Sequence, residues 1–186
     1  MIQELYKQEK KMGDGGDLSS VYMHDTLCES HYYMHAQSNN SNGAVFGGFL
    51  MNNAVSSSYL SVQQLIEDTL ESYGEMKEAE TISGYFDMHS MDTVYFKKPV
   101  YIGEIVHFKS RVTFADPKSG LVRVKVTAGT RADLGDTNIF NFTYKINPKI
   151  CELLTEQQPF KTLSIMPKNY SESLEYLQAR RVIKAL

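Results

Sequence analysis

Two glycines, Gly47 and Gly48, stand directly before the apolar-rich stretch FLMNNAV, and an amide-rich loop, NNSN, stands before them. If a helix starts at this point, its first N–H groups have no partner inside it, and the macrodipole adds partial positive charge there. Glycine leaves no Cβ between those groups and an approaching carbonyl. The chemistry on offer is polarisation of a carbonyl oxygen, with the backbone N–H of Gly48 as donor and Gly47 as the turn that exposes it. No phosphate-loop Lys follows the pair. The two glycines would equally suit a sharp strand-to-helix bend or close packing of the helix. Asn40, three residues before Gly43, has an amide that accepts from a water and donates to a carbonyl but cannot act as a base. It also suits an Asx-type loop, the role expected of Asn39 and Asn42.

Other residues with chemistry lie further along. Asp87, His89 and Asp92 fall in one strand-like run, and His31 and His35 in another. A lone His on a strand is more often a hydrogen-bonded structural residue than a base; His89 is the one to test. Cys28 and Cys151 are the only cysteines, with no C-x-x-C or His at ligand spacing. Neither a disulfide framework nor a metal site is expected.

The elements that must position these groups follow from the pattern. Residues 1–18 are polar and glycine-rich, the composition of a linker. From Thr26 to about Gln37 the Tyr-rich run suits a half-buried strand. From Gly47 to about Tyr73 apolar residues recur at helical spacing with no Pro, which predicts one long helix. Its first half is rich in Ala and Ser, the sizes that let a backbone approach a sheet closely. After the polar connection SYGEMKEAE, four strands are expected at about Thr81 to Lys97, Glu104 to Ala115, Gly120 to Ala132 and Thr137 to Ile146. Turn chemistry at Lys98-Pro99 to Gly103, Asp116 to Gly120 and Asp133 to Asp136 reads as an antiparallel meander. A Pro-containing stretch, 148–167, leads to a short amphipathic helix capped by Ser171 with Glu172. This is an α+β arrangement, a curved antiparallel sheet wrapped around one helix, and it resembles the layout of the hotdog fold. The expected units are a hotdog domain over 19–147 and a C-terminal extension over 148–186.

Composition narrows the function. The chain has 186 residues and a formal net charge of −3, without the clustered cations of a nucleic-acid surface. No apolar run reaches the roughly 20 residues of a membrane span, and the first residues resemble neither a signal nor a transit peptide. A reducing, intracellular compartment is the expectation.

Two segments, NSNGAVFGGFLM with Asn40 ahead of it and MDTVYFKKPVYIGEIVHFKSRV, resemble the hotdog acyl-CoA thioesterases. The tail PKNYSESLEYLQARR is similar to the C-terminal end of the two-hotdog, mitochondrial, brown-fat-inducible type, and the match looks most like the second of its modules. The resemblance implies hydrolysis of acyl-CoA to free acid and CoA. It implies Asn40, Gly47, Gly48 and Asp92 as catalytic residues. Phe46, Phe49 and Met51 would meet the acyl chain, and Lys97, Lys98 and Arg111 the coenzyme A phosphates. No cofactor is implied, coenzyme A being part of the substrate. The implied assembly is a homodimer or higher oligomer, or pairing with an upstream hotdog module, and the implied location is mitochondrial, with the cytoplasm as alternative. Single-module relatives place an acid seven or eight residues after the second Gly, where this chain has Val55 and Ser56. The base is then Asp92, Asp87 or an acid from a partner module, or the module is catalytically silent and binds acyl-CoA or supports a partner. A hydratase reading would need a His or an acid between Ser38 and Asn53, and there is none.

Overall fold

The long helix predicted from apolar spacing, α1, spans Gly47–Tyr73. Leu50, Ala54, Val62, Leu65, Ile66 and Leu70 form its buried stripe, with buried Ser58 between Ala54 and Val62, spaced as one face of a helix must be. It stops at Gly74, whose φ of 74° is a left-handed conformation that costs glycine nothing. There the N–H of Gly74 and of Glu75 turn back to the carbonyl of Leu70. The computed structural model describes residues 21–38, 40, 42–130, 138–156 and 163–186. The expected linker over 1–18, Asn39 and the turn at Asp133 to Asp136 lie outside them.

Chain order begins with β1 (Val21–Tyr22), a 3-10 turn (Met23–Thr26) and β2 (Cys28–Tyr33). The first expected strand is therefore shorter than its Tyr-rich run, with 3-10 turns on either side. After α1 come a one-turn helix α2 (Met76–Ala79), inside the stretch expected to be only a connection, and β3 (Phe86–Phe96). Then follow β4 (Ile105–Asp116), β5 (Leu121–Thr130) and β6 (Asn138–Ile146). The chain continues into α3 (Pro148–Glu156), which the proline-based reading missed, then β7 (Ile165–Met166) and α4 (Tyr170–Ile183).

The main sheet has the order β2-β4-β5-β6-β3, all antiparallel. The expected meander holds only for β4, β5 and β6. Despite its turn chemistry, the segment after Lys98 makes no hairpin, and β3 lies at the far edge against β6. Pro99 has no N–H to give a ladder. The neighbouring groups serve the loop before α1 instead: Val45 N–H donates to the Val100 carbonyl at 2.7 Å, and Ala44 bridges Tyr101.

Alternation gives the sheet two faces. Val122, Val124, Phe140, Phe142 and Tyr144 join the core cluster that includes the α1 stripe. Phe114 and Leu121 point the other way and pack with Ala179 and Ile183 of α4. That helix is capped by Asn169, whose side chain accepts from Glu172 N–H, rather than by Ser171. Glu172 in turn accepts from Lys168 N–H at 2.6 Å, so two donors at the helix start are satisfied by side chains.

The small residues of α1 do press the helix onto the sheet, and a polar seam lies between the two. Ser110 donates to the Ser57 carbonyl at 2.6 Å and pairs with Ser61. Ser58 is hydrogen-bonded to the Val55 carbonyl and lies 2.5 Å from the Tyr144 hydroxyl. Burial pushes the Tyr144 phenol above its ordinary range, with the Ser58 hydrogen bond opposing and Tyr59 adding to the rise. Its raised folded-state value means that stability is fully present below the unfolded-state pKa of about 10 and is lost as pH rises through the folded value. Tyr144→Phe is expected to cost about 1 kcal/mol at neutral pH. It should also flatten the alkaline loss, read by urea unfolding at a series of pH values above about 10.

Candidate active site

The start of α1 has no side-chain cap. Phe46 is its N-cap in extended conformation, and the first bonds within the helix run from Phe49 and Leu50 N–H to the Phe46 carbonyl. The N–H groups of Gly47 and Gly48 precede those bonds, as the donors left over at any helix start do. The segment before them is held by backbone pairs: Phe46 N–H to the Ser38 carbonyl at 2.9 Å and Asn40 N–H to the Ala44 carbonyl at 2.8 Å.

Each glycine has an aromatic ring close to where its Cβ would be. A Cβ on Gly48 would fall on the ring of Phe46, and one on Gly47 would come within 3.3 Å of the Phe96 ring. Both rings are more than half exposed. The glycines thus serve close packing as well as an open helix mouth, and Phe96 is a participant that the sequence reading did not single out. Only contact across the fold shows it, since Phe96 ends β3 on the opposite side of the sequence from the loop.

The side chain of Asn40 is turned into its own loop. Its Oδ1 accepts from Asn42 N–H at 2.8 Å and from Ala44 N–H at 3.2 Å. Backbone donors require an acceptor, so they settle which amide atom faces the loop. The oxygen is engaged as an Asx-type stabiliser, and the Nδ2 group, a donor, is what remains for a ligand. Asn42 supplies the backbone donor of this turn rather than its acceptor.

Asp92 sits elsewhere. It falls where the β3–β6 register slips between Met91 and Val94, and its carboxylate accepts from Arg123 at 2.6 Å. Arg123, nearly fully buried, also donates to Thr143. This pair lies on the sheet face that carries α4, in a cleft of about 280 Å³ lined also by Lys125, Asn141 and Glu175. Asp92 therefore bonds neither the helix start nor the loop of Asn40. Arg111 is on the same outer face, 2.5 Å from Glu175, which also binds Lys125 at 2.8 Å. It is not grouped with Lys97 and Lys98, which are exposed just beyond β3.

Asp87 and His89 are exposed on β3. His31 packs edge to face on His107 at 4.3 Å, and His35 on Tyr33 at 4.9 Å, aromatic contacts rather than acid–base ones. Val55 is half-buried, and Ser56 is exposed and bonds the Asn52 carbonyl one turn back. Phe49 and Met51 are half-buried against the core, whereas Phe46 projects outward. Among the described residues no group of three His, Cys, Asp or Glu could hold a metal, and no helix is long and apolar enough to cross a membrane.

No family model matches the chain. It is 28% identical over 169 residues to the mouse mitochondrial acyl-coenzyme A thioesterase 9, spanning 90% of this chain and 32% of that protein. It is 29% identical over 140 residues to a mitochondrial acyl-coenzyme A thioesterase 4 of hop, spanning 72% and 24%. The chain thus spans about a third or less of the curated relatives it matches. Among solved structures, an acyl-CoA hydrolase of Staphylococcus aureus in complex with butyryl coenzyme A and coenzyme A superposes with a TM-score of 0.63. It is 19% identical and covers 88% of this chain and 85% of that one. A hexameric acyl-CoA thioesterase superposes at 0.65, with 16% identity over 90% of this chain and 95% of that one. The chain has the hotdog fold of the acyl-CoA hydrolases and is similar in sequence to the mitochondrial acyl-CoA thioesterases.

Proposed function

We propose that this chain is one hotdog module of an acyl-CoA thioester hydrolase, in which water attacks the thioester carbon, the C–S bond breaks, and free acid and CoA leave. The observation that carries the reading is the uncapped, glycine-lined start of α1 beside the Asn40 loop. The thioester oxygen accepts from the Gly48 N–H, a donor pre-aligned with the helix dipole and aimed at developing negative charge. Gly47 keeps the approach open, and Asn40 Nδ2 orients the thioester or the attacking water. The acyl chain runs along Phe46, Phe49 and Met51, and Lys97 and Lys98, both exposed, meet the coenzyme A phosphates. Coenzyme A enters as part of the substrate, and no separate cofactor is invoked. The hotdog module is assigned to 19–147 and the extension, whose helix α4 packs on its outer face, to 148–186.

The general base comes from across an interface. Asp92 is committed to Arg123, and the helix positions where relatives carry an acid hold Val55 and Ser56. β3 is the long edge strand, eleven residues, with Met88, Met91, Tyr95 and Phe96 exposed along it. An apolar edge of that length is a template for pairing. A second copy, or an upstream hotdog module as in the two-module thioesterases, would cover it and bring an acid to the Asn40 loop. The names of the relatives make the mitochondrion the proposed location, with the cytoplasm as alternative.

The absent acid also favours a second reading, a silent module that binds acyl-CoA or props a partner. Thiol release across acyl-CoAs of increasing chain length, measured beside binding of CoA by calorimetry, decides between them. Release well above the buffer rate supports the hydrolase, whereas binding with no release sinks it in favour of the silent module.

A further inference from the structure

We propose that Phe96 is a positioning residue for the helix mouth: its ring, beside the Cβ position of Gly47, holds the first turn of α1 so that the Gly48 N–H stays aimed at the thioester oxygen. The inference rests on the reading of Gly48 as the carbonyl's donor. It starts from what is missing at the helix start, where no side chain caps the first turn. One flank of that turn is tied down by backbone bonds, Phe46 N–H to the Ser38 carbonyl and Val45 N–H to the Val100 carbonyl. Phe96 supplies a second support. Three of its ring atoms lie 3.3, 3.5 and 3.7 Å from where a Gly47 Cβ would be, so the ring faces Gly47 and leaves little room for a methyl there.

The ring is itself anchored. It packs edge to face on Phe140, 5.6 Å between centroids, and Phe140 is fully buried on β6. Its backbone is fixed in the sheet by the pairing of Phe96 with Asn138. A line of contacts therefore runs from the core through Phe140 and Phe96 to Gly47. Its outer part is half exposed, at the end of the edge strand that a partner module would cover. Closure of that edge would press the ring onto Gly47 and stiffen the donor when the second half of the site arrives. Phe46 has the complementary place over Gly48. An aromatic ring standing 3.3 Å from its Cβ position is then a reason for glycine at 47 separate from exposing the donor.

The test is a paired substitution with a rescue. Gly47→Ala puts a methyl against the ring and is expected to lower kcat about 10- to 100-fold with KM within about 3-fold, the pattern of a misplaced donor rather than a lost binding contact. Phe96→Leu alone should lower kcat several-fold. The double variant, in which the smaller side chain makes room for the methyl, should recover most of the loss, which independent defects would not do. Wild-type kcat in Gly47→Ala, or losses that simply multiply in the double variant, overturns the proposal while leaving the hydrolase reading intact. If the wild-type chain releases no CoA, that reading fails by itself. The positioning role is then decided by hydrogen exchange: Phe96→Leu should speed exchange of the Phe49 and Leu50 amides, the first bonded in the helix, and unchanged exchange overturns it.

Discussion

Glu175→Ala should lower the unfolding free energy by about 2–4 kcal/mol, between the small value of an exposed ion pair and the cost of breaking a buried one. One carboxylate holds two cations, Arg111 at 2.5 Å and Lys125 at 2.8 Å, and all three side chains are less than a third exposed. Removing it leaves Arg111 and Lys125 close together on the outer face of the sheet without their shared counter-charge. The apolar part of the α4 contact is small, chiefly Phe114, Leu121, Ala179 and Ile183 with Tyr176 beside them, so the ion pairs carry a large share of the docking. Hydrogen exchange of the α4 amides should rise well before that of β5. Changing Arg111 and Lys125 to Met together with Glu175→Leu should restore much of the loss, because apolar residues need no counter-charge. A urea midpoint for Glu175→Ala equal to that of wild type would show that the cluster is only solvated charge.

Asn40→Asp is expected to lower kcat by about 10²-fold, the loss typical of removing one oxyanion donor, while leaving thermal stability near that of wild type. A carboxylate accepts from Asn42 and Ala44 N–H as well as the amide oxygen does, so the loop survives. What disappears is the Nδ2 donor, replaced by an anion that repels a developing oxyanion. Asn40→Ala loses both functions: the same fall in kcat, with about 1 kcal/mol of stability lost from the turn. The contrast separates two roles that a single Ala variant confounds. Full activity in Asn40→Asp with impaired activity in Asn40→Ala would make the residue a loop stabiliser only. Higher activity in the Asp variant would mean the position wants a base.

The long helix and the β rhythm were legible because their signals are local and periodic: Leu50 to Leu70 at helical spacing, and Phe140, Phe142 and Tyr144 alternating along β6. The Gly47-Gly48 mouth was legible for the same reason, a composition change within a few residues. Strand order was not, since the turn residues at Pro99 and Gly103 reverse the chain without saying which strand comes next to which. Tertiary pairing of Val45 with Val100 and of β3 with β6 decided that. Asp92 misled because a strand position states a side chain's alternation but not where the ladder slips, and it lies at such a slip. The cap of α4 turned on one residue: Asn169 and Ser171 are both good N-caps, and the geometry selects Asn169. The contact of Phe96 with Gly47 was invisible because the two are adjacent only in space.

α1 covers one side of the sheet, and on the other α4 packs over β4 and β5. At the rims β2 offers six residues and β3 eleven to a further strand. Partners would then add side by side in the plane of the strands, as planks join along their edges. The mouth of α1, with Phe96 at the end of β3, lies at the longer of these two joints.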